Sequence, residues 1–306
     1  MVPSPSSAWT TRVGPSPENV LLTALAAVFV SSLGWAALDA LRKSLSARCD
    51  PAPLAAALAG GQLPLFLTAV ALSGDARVGA GYVAPGTATV LLNVAANLLF
   101  LRAVQLSPLS ATIPFLSFTP VFSTALSALV LGERPGRDDL AGIALVVLGA
   151  LLVNLRWDGG SRTAALLNEP GSVLMTGVAL VWSLTAVFDK RALGFASVPV
   201  HAAIQCGGVA LVLLAVLAAR GRLGTLRCVG PVRGRLAVAL VAGGLGLGFQ
   251  FLALRLTLVG VMEALKRSIG MLFAVGLGRL VFGEPLTPGK LAGVALMSTG
   301  VALIVL

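Results

Sequence analysis

Charge is what this sequence has least of. Only 11% of its 306 residues are Asp, Glu, Lys or Arg, against 57% apolar, and the mean hydropathy is +0.95. An ordinary soluble domain has about a quarter of its residues charged. The shortfall excludes intrinsic disorder, a coiled coil and almost any soluble enzyme, because such a chain lacks the polar surface to cover itself. Histidine is scarcer still. His201 stands alone, which argues against a His-based metal centre or a nucleophilic triad. The three cysteines, Cys49, Cys206 and Cys228, have no metal-like spacing, and their odd number gives no case for a disulfide framework. Only four of the 22 basic residues are lysines, so each lysine is more informative than usual. The chain has no nucleotide-binding motif, so ATP hydrolysis is not expected of it.

What is present is a succession of apolar runs, each of the roughly 17–25 residues needed to cross a bilayer. They cover 19–41, 53–73, 83–104, 108–131, 139–156, 171–192, 198–219, 236–256, 260–282 and 287–306. The 35 Gly and 17 Pro agree, since both are commoner in membrane helices than in soluble ones. The sequence therefore predicts an all-α integral membrane protein with ten transmembrane helices. A net charge of +10 would suggest nucleic acid in a soluble protein. Here the bilayer is the partner: basic residues at helix ends anchor them among headgroups, and no nucleic acid is expected. Residues 1–17 are rich in Pro and Ser and lack the basic start and cleavage site of a signal peptide, so they read as a disordered tail.

A polar break at 157–170 divides the spans five and five. Shifting by 151 positions lays 131–153 on 282–304 without a gap, matching Gly132 with Gly283, Glu133 with Glu284, Gly142 with Gly293 and Gly149 with Gly300. Trp35 and Lys43 are eight apart, and so are Trp182 and Lys190. The chain thus reads as a tail (1–17), a first repeat (18–156), a linker (157–170) and a second repeat (171–306). Five is odd, so the second repeat must enter the membrane from the opposite side. Inverted repeats of this kind build secondary transporters, with the substrate near the midplane.

These residues resemble the EamA-type transporters of the drug/metabolite transporter superfamily. Three features carry the likeness: Leu131-Gly132-Glu133-Arg134-Pro135 with Phe282-Gly283-Glu284-Pro285; the paired Trp…Lys spacings; and Glu263-Ala264-Leu265-Lys266-Arg267-Ser268 leading into Leu272-Phe273-Ala274-Val275 and Gly278. The likeness covers nearly the whole chain after the tail. It implies two five-helix repeats and a multi-pass carrier of the inner (plasma) membrane. Such a carrier moves small organic metabolites, usually outward, with proton or exchange coupling. The related small multidrug transporters resemble proteins with a carboxylate deep in their first helix. Here Glu18 lies at the very start of the first span and Asp39 towards its other end, which weakens any inference of cationic-drug antiport. The family likeness also implies cytoplasmic termini. A positive-inside tally on that topology gives six basic residues inside against eleven outside, five of them in the 220–235 loop, and argues the reverse.

Ionised side chains at bilayer depth cost about 2.5–3.5 kcal/mol each on insertion scales, so those present are functional candidates. Glu263, Lys266 and Arg267 are spaced i, i+3, i+4 on one helical face. Together they offer an ammonium and a guanidinium fork to a carboxylate or phosphate; the alternative is an interfacial anchor. Lys43 and Lys190 are candidate substrate contacts or snorkelling helix-end cations, and Trp35 and Trp182 are candidate aromatic walls. Thr89, Asn93 and Asn97 form a polar stripe that serves either substrate or helix packing. Asp39, Asp189, Glu133 and Glu284 are candidates for coupling or ion pairing. Gly243, Gly244, Gly246 and Gly248 point to close helix packing, and Pro114 and Pro120 to a bend in the fourth span. Away from the span ends marked by Glu133 and Glu284, Lys43, Lys190, Lys266 and Arg267 outnumber Asp39, Asp189 and Glu263 by four to three, so the expected substrate is a small anionic or zwitterionic metabolite, with no cofactor, no metal and no catalytic residue. Two other readings stand beside it: a lipid-linked flippase of the same fold and an intramembrane enzyme. The second suffers from having one histidine and no close pair of Asp within a span.

Overall fold

The computed structural model describes residues 17–107, 112–154, 170–282 and 287–305. The tail to residue 16, the linker from 155 to 169 and Glu284 lie outside the described residues. Within them the chain forms ten helices. The first repeat contributes α1 (Pro17–Ser46), α2 (Pro51–Ser73), α3 (Val83–Leu106), α4 (Thr119–Leu131) and α5 (Arg137–Asn154). The second contributes α6 (Pro170–Ala192), α7 (Val198–Ala219), α8 (Arg233–Leu256), α9 (Val259–Phe282) and α10 (Pro288–Val305). Eight segments among the described residues are long and apolar enough to cross a membrane, α4 together with the 3₁₀ residues Ile113–Phe118 that precede it. The two that do not qualify are α5, which opens on Arg137-Asp138-Asp139, and α9, which carries Glu263, Lys266, Arg267 and Arg279.

Helix ends are set by local chemistry. Pro occupies the first turn of α2, α4 and α7, where its missing N–H costs nothing. Gly74 and Gly132 end α2 and α4 with φ of 64° and 69°, a left-handed conformation in which a Cβ would be strained. The fourth span is not one bent helix as the prolines suggest. Residues Ile113–Phe118 form a separate 3₁₀ segment before α4 begins, because Pro114 and Pro120 each fit the first turn of a new element better than the interior of an old one.

The repeats meet through their equivalent helices. α1 packs on α8 while α6 packs on α3; α2 faces α7, α4 faces α9 and α5 faces α10. This exchange of first with third, and of like with like, is the arrangement a two-fold axis in the membrane plane requires. Glycine makes the contacts close. A Cβ on Gly149 would lie 2.6 Å from Gly293 O, and one on Gly293 would lie 2.6 Å from Gly149 O. Gly142 and Gly300 repeat the relation at the same 2.6 Å. At the α1–α8 crossing a Cβ on Gly34 would lie 2.7 Å from Gly246 N. The Gly-rich stretch of α8 is thus a packing surface. Gly293→Leu is expected to cost about 1–3 kcal/mol through forced separation of α5 and α10, seen as a lower melting temperature in detergent. Gly177→Ala, whose Cβ meets nothing within 4 Å, is expected to leave it unchanged.

One expectation from the cysteine count is overturned. Cys49, after α1, forms a disulfide with Cys228 in the 3₁₀ segment Leu223–Val232, and Cys206 is left free and buried. The two partners are 179 residues apart, and only the α1–α8 and α2–α7 packing brings their loops together, so spacing could not reveal the pair. The bond links the two repeats at one end of the bundle, termed here the disulfide end. Maleimide labelling of denatured protein is expected to tag Cys206 alone before reduction and all three cysteines after it.

Candidate functional site

Polar side chains in a bilayer must find partners inside the protein. Most hydroxyls do so on their own helix: Ser32 donates to Val28 O, Ser123 to Thr119 O and Ser268 to Ala264 O. The ionised groups cannot be satisfied this way, and they converge instead. A cavity of about 290 Å³ lies between the repeats, lined midway along α1, α3, α6, α8 and α9.

Trp35 and Trp182 both line it, one from the first helix of each repeat. Trp182 packs on Phe100, with ring centroids 5.4 Å apart. The Arg42 guanidinium lies 5.2 Å from the Phe100 centroid and 5.5 Å from that of Trp35, so a cation braces the aromatic wall from behind. Arg42 also donates to Asp39 Oδ1 at 3.2 Å and to Asn97 Oδ1 at 3.0 Å. Asp39 and Asn93 face the cavity, whereas Asn97 is set behind them as a support for Arg42.

The charged stretch of α9 enters the same space. Lys266 Nζ donates to Glu263 Oε1 at 2.7 Å and to Gln250 Oε1 of α8 at 3.1 Å. Arg267 lines the cavity, and its buried Nε has no hydrogen-bond partner among the described residues; the same holds for Trp35 Nε1. Arg267 and Asp39 act on one another electrostatically across the space. Asp189 completes the wall from α6.

Lys43 and Lys190 do not reach the cavity. Lys43 donates to Val104 O and Ser107 O at the end of α3, and Lys190 to Thr257 O at the end of α8. Each therefore caps a helix C-terminus, where a cation is favoured. Lys190 also pairs with Glu133, whose other oxygen accepts from Val259 N–H at 3.0 Å. This contact ties α4, α6 and the start of α9 together at the end opposite the disulfide. Glu133 is thus an ion-pair residue there, and its counterpart Glu284 is outside the described residues.

The residue before each lysine matters more to the site: Asp189 lines the cavity and Arg42 stands behind its wall. Seven residues after each tryptophan stands a buried charge, Arg42 in the first repeat and Asp189 in the second. The i, i+7 spacing keeps each on the face of its tryptophan, a signal present in the sequence but overshadowed by the scarcer lysines. Arg42 and Gln250 are the site residues that sequence reasoning missed.

Comparison with known proteins agrees with this architecture. The EamA-like transporter family model matches residues 22–155 and again 169–306, and the chain belongs to that family. A solved crystal structure is similar over 92% of this chain and 96% of its own, with a TM-score of 0.65 and 19% identity, a likeness of fold alone. No curated protein matches. This is a multi-pass membrane protein of a transporter family.

Glu133→Gln would leave Lys190 without its counter-charge and loosen the contact between α4, α6 and the start of α9 at that end. Labelling of a Thr185→Cys probe in the cavity by an impermeant thiol reagent is expected to rise several-fold from that side, with Cys206 replaced by Ser.

Proposed function

We propose that the protein is a secondary transporter, working as an exporter, for a small zwitterionic organic metabolite with an apolar body. The carrying observation is the cavity itself. Arg267, with an unpartnered buried Nε, and Asp39 present opposite charges between two tryptophans. A carboxylate would dock on Arg267, an ammonium on Asp39, and a flat or branched side chain against Trp35 and Trp182. Five charged side chains line the space, Asp39, Asp189 and Glu263 against Lys266 and Arg267. Loss of the two lysines from the set and the arrival of Arg42 behind Asp39 favour a zwitterion over a simple anion. The volume is small beside the roughly 300–1,000 Å³ typical of drug-sized pockets, which suits an amino-acid-sized solute.

The paired helices support an alternating-access mechanism. The Lys190–Glu133 contact supports a state closed at its own end, and rocking of one repeat against the other would open that end and close the other. The disulfide favours an orientation with Cys49 and Cys228 outside and both termini in the cytoplasm of a cell with this protein in its plasma (inner) membrane. Disulfides persist in oxidising compartments, and this chemical constraint outweighs a loop-charge tally.

Screening the melting temperature of the purified protein against amino acids, organic acids, phosphorylated metabolites and cationic dyes tests the reading. A ligand at 100 times its Kd stabilises by about 2.7 kcal/mol. Zwitterionic amino acids are expected to give the shift, and Arg267→Ala to abolish it. Stabilisation by cationic dyes alone, equal in Arg267→Ala, would sink the proposal.

A further inference from the structure

The one histidine belongs to no helix-packing motif and to no part of the substrate cavity, yet it is fully buried among polar atoms. His201 Nε2 lies 3.1 Å from Asp189 Oδ1, and His201 Nδ1 lies 2.7 Å from Tyr82 Oη. Gln205 Nε2 donates to the same Asp189 oxygen at 2.8 Å. Asp189 lines the cavity. Tyr82 closes a 3₁₀ turn, Ala80–Tyr82, that leads into α3, and the neighbouring Gly79, Ala80 and Gly81 are exposed. These three side chains therefore form a continuous hydrogen-bonded file from the substrate cavity to the buried Tyr82 hydroxyl, whose own residue sits in the exposed turn at the end of the bundle opposite the disulfide.

We propose that Asp189, His201 and Tyr82 are the proton-binding and proton-conducting site of this transporter. The assignment rests on the transporter reading and names its coupling ion. With Asp189 ionised, His201 donates Nε2–H to it and accepts the Tyr82 O–H on Nδ1. A proton arriving on Tyr82 Oη displaces the phenolic proton onto Nδ1, and the Nε2 proton moves to Asp189 Oδ1. One proton has entered at Tyr82 and one has appeared on Asp189; the imidazole ends neutral with its tautomer reversed. The protonated Asp189 then releases its proton to the cavity, where its ionised form adds to the negative wall that holds the substrate ammonium on Asp39. Proton and ammonium thus draw on the same negative field, which is the requirement for coupled exchange.

The surroundings of His201 suit a relay. From α6 it meets Asp189, from the 3₁₀ turn Tyr82, and from its own helix Gln205 shares Asp189. From α8 it meets only the ring of Phe251, at 4.6 Å between centroids. Lys266 of α9 also acts electrostatically on Asp189 and is itself engaged by Glu263 and Gln250. No cation other than the transferred proton competes inside the file among the described residues.

A single histidine makes the test direct. Full-length protein labelled with [15N]histidine, without a histidine tag and in nanodiscs, reports His201 alone by NMR. Between about pH 5 and 9 the resonances are expected to pass from an Nε2–H to an Nδ1–H tautomer as the pH falls. Asp189→Asn is expected to abolish the reversal. One invariant tautomer, or ordinary imidazolium formation with the same midpoint in Asp189→Asn, would overturn the proposal.

Proteoliposomes containing a pH dye supply the second readout, with a radiolabelled mixture of amino acids as the probe. An imposed pH gradient is expected to accelerate wild-type flux by about an order of magnitude. His201→Gln and the milder Tyr82→Phe are expected to lose that dependence while still exchanging internal for external amino acid. Amino-acid flux indifferent to the gradient in wild type would refute the proton site and leave the transporter reading intact. Tautomer reversal lost in Asp189→Asn, without any amino-acid flux, would support the proton site and refute the zwitterion reading.

Discussion

In hydrocarbon a polar group has no solvent to fall back on, so each must be satisfied by the protein itself. Nearly every feature of this molecule follows from that constraint. Backbone groups are satisfied by helices. Hydroxyls such as Ser32, Ser123 and Ser268 bond back to the preceding turn. Helix ends that still carry free carbonyls receive a lysine, Lys43 on α3 and Lys190 on α8. Asp39, Asp189, Glu263, Lys266 and Arg267 go to the space between the repeats, and there they define the site.

That space exists because the two repeats approach so closely elsewhere. Helix association in a membrane has no water-driven force behind it and depends on close packing. The glycines of α5 and α10 let the backbones touch in reciprocal pairs, Gly142 with Gly300 and Gly149 with Gly293. Gly34 and Gly246 do the same for α1 and α8. The bulky side chains, Trp35, Trp182 and Phe100, lie by contrast around the central cavity, propping its walls apart.

The pseudo-symmetry is chemically unequal, and function lies in the inequality. Arg42 and Asp189 occupy equivalent positions seven residues beyond their tryptophans. Arg42 is held by Asp39, Asn97 and two aromatic rings, a fixed cation whose hydrogen-bond partners among the described residues include one titratable group, Asp39. Asp189 is held by His201 and Gln205. In the coupling proposed above, one half of the cavity would supply steady electrostatics and the other the groups that exchange a proton.

The span positions, the duplication and the cavity-facing stretch of α9 were legible in the sequence because hydropathy and local spacing are properties of short windows. Arg42, Gln250 and the Cys49–Cys228 bond were not legible, nor was the turning away of Lys43 and Lys190. A side chain one residue along a helix rotates by about 100°, so sequence alone placed the charges near the site without deciding which faced it. By itself the sequence determined a ten-helix membrane protein of two inverted halves, since the bilayer leaves an apolar chain no other backbone solution. Only the tertiary structure decided which buried charges share a cavity, which cysteines pair, and that His201 joins Asp189 to Tyr82, because those relations depend on contacts between helices far apart in the chain.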